Sequence, residues 1–163
     1  MAQPSPYRQL AAARRVALVT RAIKASKDMR AVMVVRMAAR GGGFRPQTLL
    51  QWPPDKLARE IVRLGAENGD DELNLLNMLY VEFEPQIQAA YLDAAGVKHT
   101  NGQMPEELAP PFASAESVAK AAAAVVEQFG EDGRLYLVTI AKYNGEGWPG
   151  LDAIIRQLAP AAT

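Results

Sequence analysis

His99 is the single histidine of a chain that has no cysteine. Imidazole suits general acid–base work near neutral pH, and a neighbouring carboxylate would tune it. The carboxylates that invite this role are Glu82 and Glu84, which flank Phe83 just before Pro85. Two positions apart on a helix, they point to different faces and make a dyad only where the chain unwinds at the proline. A zinc site would need carboxylates for its other ligands, because thiolates are absent. The acids of GDDE at 69–72 are adjacent, whereas a calcium loop needs oxygens at alternate positions and a distal glutamate. Helix capping accounts for that run more simply.

Other motifs fall short in the same way. GGGFR at 41–45 offers backbone N–H groups to an anion, but no Lys–Ser/Thr follows and no expected strand precedes it. Gly-x-Ser-x-Gly does not occur. His99 lies between Lys98 and the Asn101–Gly102 turn, the setting of a solvated loop histidine. The expectation is therefore of no catalytic residue, no metal and no cofactor, with Glu82, Glu84 and His99 as the one polar constellation worth testing.

Charge is the louder signal. The net charge is zero, yet residues 1–63 hold 13 bases and 3 acids while residues 64–163 hold 5 bases and 15 acids. Arg14, Arg15, Arg21, Lys24, Lys27 and Arg30 crowd one segment that has a single acid, Asp28. Such a split raises the question of what the bases face: nucleic acid, an anionic membrane surface, or acid of the same protein. A helix-turn-helix over 54–80 is excluded, because its reading helix would open with DDELN and be repelled by phosphate. The basic segment itself is the better phosphate binder, but only Tyr7 and Phe44 lie near it for stacking on single strands. No apolar run approaches the roughly 20 residues that span a bilayer. The apolar side of the basic helix lacks the Trp or Phe expected at a membrane interface. The opening residues have the Arg- and Ala-rich, acid-free composition of a transit peptide, but the basic character runs far past a normal cleavage point. With no cysteine, no signal-peptide core and no apolar span, the expected location is cytoplasmic.

The elements that would carry these charges read as helical. Leu, Ile, Val and Phe make up 38 of 163 residues, above the level of a disordered chain, and abundant alanine favours helix. Residues 1–6 read as a flexible tail and 7–163 as a single helical domain, with a basic N-terminal helix and Gly-rich turn over 7–45 and an acidic body over 54–163. Ala12, Val16, Val19 and Ile23 form a helical stripe; its register continues through Ser26 and Arg30 to Met33 and Met37, so the helix bends or restarts near Ser26 or Asp28. FRPQTLLQWPP is a loop or short turn. Pro54 opens a helix carrying Leu57, Ile61 and Leu64, stopped at Gly65 or by Asn68–Gly69. Asp70 caps the next, with Leu73, Leu76, Leu79 or Tyr80, and Phe83 inward, and Pro85 breaks it before Ile87, Tyr91 and Leu92. One helical turn is expected at 105–108. Ser114 caps a helix running to Phe129 and stopped by Gly130. Residues 31–37 and 134–143 have strand-like content, but helical neighbours favour helix for both. Pro149 opens a last helix with Leu151, Ile154, Ile155 and Leu158. The predicted fold is all-α, a single compact domain of about six or seven helices. Trp52 and Trp148, each beside a proline, are expected to plug helix ends into a core, the alternative being exposed anchors.

The function expected from these features is a non-enzymatic helical interaction or assembly module, self-associating or adapter-like. Its basic helix would lay the Ala12–Ile23 stripe on a helix of its own or a neighbouring chain, with bases toward acid. The interaction residues are Arg14, Arg15, Val16, Val19, Arg21, Ile23, Lys24, Lys27 and Arg30, and the partner is a protein or a second copy. The alternatives are phosphate binding through residues 8–45, and a small enzyme or ligand binder built on Glu82, Glu84 and His99.

Overall fold

The computed structural model describes residues 5–41, 43–67 and 70–158, with residues 70 and 71 described by backbone alone. The chain is all-α, with nine α-helices and no strand among the described residues. It divides into two compact units, Met1–Leu79 and Tyr80–Thr163. The expected Asn68–Gly69 stop, the cap by the Asp70 side chain and most of the expected tail lie outside what is described.

In the first unit, α1 (Ala12–Ala25) and α2 (Lys27–Ala39) are separate helices. The single long basic helix is therefore corrected to two, and the break falls at Ser26. Ser26 takes an extended backbone, and its hydroxyl accepts the Met29 N–H at 3.1 Å, an N-cap that starts a new helix. Asp28 in the first turn of α2 complements the helix dipole. α3 (Pro46–Leu49) is a single turn within the expected loop. α4 (Pro54–Leu64) ends where expected, on Gly65 in the left-handed conformation (φ 63°), which a Cβ would disfavour.

α1 packs along α4, and α2 packs on both. Leu18, Val19, Ala22 and Ile23 of α1 are buried, as are Leu57, Ala58, Ile61 and Val62 of α4. The buried face of α1 is thus rotated toward Leu18 and Ala22: Ala12 is exposed and Val16 half-buried. Met29, Met33, Val34 and Met37 turn inward from α2, and Leu49 adds to the same core.

α5 (Asp70–Asn77) passes into a π-helical stretch over Met78–Phe83, and Pro85 then precedes α6 (Gln86–Ala95). Proline has no N–H for the ladder and clashes with the preceding turn, so the element breaks where the sequence predicts. In the second unit α6 packs on α7 (Ala115–Phe129), and α7 packs on α8 (Glu131–Asn144). α7 is capped as expected: Ser114 Oγ accepts the Ser117 N–H at 3.2 Å. Residues 134–143 are helical within α8, and 31–37 within α2. Residues 105–108 form only a turn, closed by the Leu108 N–H on the Pro105 carbonyl at 3.1 Å. α9 (Leu151–Leu158) packs on α7 and α8. Trp148 is buried, with its ring edge-on to Tyr91 at 4.9 Å.

Candidate functional site

Several bases of the N-terminal segment have specific uses inside the first unit, while Lys24 and Lys27 are exposed. Arg15 Nη1 lies 3.6 Å from Oε1 of Glu67, a fully buried carboxylate just beyond α4. The Tyr7 hydroxyl, also buried, donates to the same oxygen at 3.5 Å. In the neighbouring residues, Arg8 Nε donates to Glu72 at 3.1 Å, and the Ser5 hydroxyl donates to Glu72 as well. Arg30 donates to the carbonyls of Leu50 and Trp52 at 2.7 and 2.5 Å, fixing the turn after α3. Arg14 and Arg21 are partnered too. Arg59 and Arg63 pair with Asp55 and Glu60 on their own helix, at 3.0 and 2.7 Å.

Burial pushes the Glu67 carboxyl above its ordinary value, against the pull of its backbone hydrogen bond, Arg15 and Tyr7. Burial first, and the Glu67 carboxylate second, push the Tyr7 phenol far above its own ordinary value. Arg15 Nε and Glu67 Oε2 are buried with no hydrogen-bond partner in the protein. This cluster is a structural staple joining residues 5–8, α1 and the end of α4. It is a costly one, because desolvating charge offsets much of what the pairing gains.

Arg30 carries a prediction. Its guanidinium makes two charge-assisted bonds to backbone carbonyls in a part-buried setting. Arg30→Met is expected to destabilise the first unit by about 1–2 kcal/mol. The readout is denaturant unfolding followed by Trp52 fluorescence, with Trp148→Phe as background. An unchanged midpoint would show that the two bonds contribute nothing.

In the second unit, His99 is not a solvated loop side chain: it is 11% exposed. Its Nδ1 accepts the Gly102 N–H at 3.0 Å, and its Nε2 lies 2.8 Å from Asp93 Oδ1. The amide bond at Nδ1 places the ring proton on Nε2, facing Asp93. Both nitrogens are engaged in holding the Asn101–Gly102 turn, and neither reaches Glu82 or Glu84. The expected constellation is therefore not assembled by hydrogen bonds. Among the described residues no group of three or more His, Asp or Glu side chains is placed to hold a metal ion.

What the sequence reading missed is on α2. Its solvent-facing strip runs Asp28, Ala31, Val32, Val35, Ala39, all exposed. Val32 and Val35 are 46% and 60% exposed. The opposite face carries the buried methionines and Val34, so α2 is apolar on both sides. An ordinary surface helix is polar where it meets water, whereas the only charged side chain on this strip is Asp28 at its N-terminal end. Val16, Val19 and Ile23 of the expected interaction set face inward or are half-buried, and the strip of α1 rests on α4 of its own chain. Phe44 (50% exposed) leans edge-on against half-buried Trp52 at 5.0 Å, with Lys56 Nζ 4.1 Å from the Trp52 ring centroid. Trp52 is thus partly open, and only Trp148 is the buried plug.

Compared with family models, with curated proteins and with solved structures, the chain matches none.

Proposed function

We propose that this chain is a helical protein-interaction module whose docking surface is the outward strip of α2. The observation that carries this is the exposure of Val32 and Val35 among alanines on a helix already buried through its other face. Its role is recognition. The bases contribute architecture: Arg15 and Arg30 hold their own unit together, which weakens the reading of residues 8–45 as a phosphate-binding stripe. The Glu82, Glu84 and His99 enzyme reading has the least support, since His99 holds a turn.

The test is the double substitution Val32→Lys with Val35→Lys. A docking face has nothing of its own fold to lose, so the unfolding midpoint should move by no more than about 0.5 kcal/mol equivalent. Binding of an anilino-naphthalene dye to the native protein should fall at the same time. A loss of about 2 kcal/mol or more, the cost of a core substitution, would mean that the strip is covered within the folded chain, and the reading fails.

A further inference from the structure

We infer that residues 5–10 form a strap, hinged at Ala11, that lifts off the first unit on its own and answers to the ionisation of Glu67 beneath it. This stands apart from the docking reading of α2. The main-chain hydrogen bonds described for the segment close on itself: the Gln9 N–H donates to the Ser5 carbonyl at 3.2 Å and the Leu10 N–H to the Tyr7 carbonyl at 3.1 Å. The Arg8 N–H likewise donates to the Ser5 hydroxyl at 3.3 Å. The described ties to the rest of the unit are side chains. Tyr7 is buried with its hydroxyl on Glu67, and Ser5 and Arg8 both donate to Glu72. Gln9 is partnered as well. At the other end, the exposed Ala11 (φ −56°, ψ 146°) precedes α1 with no side-chain cap, and the first turn of α1 holds no acid. A hinge there gives up no capping bond.

Closing the strap sets two effects against each other. It takes the Tyr7 ring out of water, which stabilises the closed state. It also keeps water from a charged pair that the protein satisfies incompletely. Glu67 Oε2 and Arg15 Nε are buried with no hydrogen-bond partner in the protein. The Arg15 contact at 3.6 Å and the Tyr7 bond at 3.5 Å are both long. Buried polar groups in that state cost free energy that hydration would return. Lifting the strap removes the ring that lies against the carboxylate and admits water to it, so opening recovers much of what it loses. A segment of this kind opens at a fraction of the free energy of the helical core.

Glu67 faces Tyr7 from the strap, Arg15 from α1 and Glu72 from α5, and has its own backbone hydrogen bond just beyond α4. Burial is the largest of these influences, so the closed state holds the Glu67 proton above its ordinary 4.5. The open state, with the carboxylate in water, returns it toward that value. Closure is therefore fully favoured below 4.5 and weakens as the pH rises through the higher closed-state value. The strap is a latch that tightens in acid.

The test is native-state hydrogen exchange of the full chain in sub-denaturing urea, read at Gln9 and Leu10 and along α4. Tryptic cleavage after Arg8 at neutral pH, compared with the same bond in a free peptide, is the second reporter. The protease reaches that bond only when the neighbouring Tyr7 has left its seat. The open fraction is expected on the order of 1 in 100 to 1 in 1,000. It should hardly change with urea, because lifting residues 5–10 exposes little surface, whereas exchange in α4 should be slower and steeply urea-dependent. Between pH 4.5 and neutrality the open fraction should rise, after correction for the intrinsic pH dependence of exchange, and in Glu67→Gln it should stay level. Exchange at Gln9 and Leu10 with the rate and urea dependence of α4, and no cleavage after Arg8 short of unfolding, would place the segment in the cooperative core and overturn the strap. Cleavage as fast as in the free peptide overturns the closed seat. An open fraction that is level with pH in the wild type, or that rises equally in Glu67→Gln, overturns Glu67 as the group that governs it.

Discussion

Replacing Gly133 with alanine is expected to destabilise the Tyr80–Thr163 unit by about 1–3 kcal/mol. Gly133 lies in α8 where that helix crosses α7, and it is buried. A Cβ placed there would sit 2.5 Å from the Val125 carbonyl oxygen and 3.0 Å from both its carbonyl carbon and Cγ1. Two of those three atoms are backbone of a regular helix and cannot swing aside, so α7 and α8 must separate. Intrinsic propensity pulls the other way: alanine is favoured over glycine inside a helix by about 1 kcal/mol. The sign of the result therefore separates the two effects. A stabilised variant would mean that the helices are not this close. The measurement is denaturant unfolding followed by Trp148, the one tryptophan of that unit, in a Trp52→Phe background. Trp148 packs on Tyr91 and Phe112, so its emission reports loss of that core.

That crossing shows where sequence reading stops. The ends of α7 and α4 were legible because their signals are local: Ser114 caps, Gly130 and Gly65 stop, and Pro54 opens. The break at Pro85 was legible for the same reason. Gly133 carried no such signal, because its role is set by the backbone of Val125, which reaches it only after the α7–α8 turn. The start of α2 was half legible. Ser26 interrupts the apolar stripe, but carrying one register through it assumed a continuous helix. The true α1 face centres on Leu18 and Ala22 because packing on α4 selects it.

The exposed strip of α2 was hidden by the same assumption. Val32 and Val35 lie off the line that joins Met33 and Met37, so they dropped out once one stripe had been chosen. The available signal was that AVMVVRMAA has apolar residues on both sides of any line drawn through it. Two bases of the N-terminal stretch meet acids from beyond residue 63: Arg8 pairs with Glu72 and Arg15 with Glu67. Arg59 and Arg63 find their acids three or four residues away, so their charge is settled locally and adds nothing to any pairing of halves.

Arg15→Met should cost the first unit about 3 kcal/mol at neutral pH, the low end for breaking a buried pair, since Arg15 keeps some contact with water. The loss comes from what is left behind: a carboxylate with no exposure, held by its backbone hydrogen bond and a long bond from Tyr7 but facing no cation. Glu67→Gln removes the charge at nearly constant volume and should stay within about 1 kcal/mol of wild type. The double variant Arg15→Met with Glu67→Gln should recover most of the single loss, a non-additivity that marks direct coupling. The pH dependence has a definite sign. Burial holds the folded-state value of Glu67 above its ordinary 4.5, so the folded protein keeps that proton longer than the unfolded chain. Its contribution to stability is fully present below 4.5 and is lost as pH rises through the higher folded value. Most surface-paired carboxylates behave in the opposite way. Removing Arg15 takes away an interaction that lowers the value, so the window widens upward and the penalty of Arg15→Met should shrink as the pH is brought down toward 4.5. Glu67→Gln should abolish that part of the slope. Unfolding midpoints at a series of pH values, followed by Trp52 in a Trp148→Phe background, check this. A penalty for Arg15→Met that is constant with pH would mean that the arginine stabilises by the packing of its stem, and that Glu67 is not its electrostatic partner.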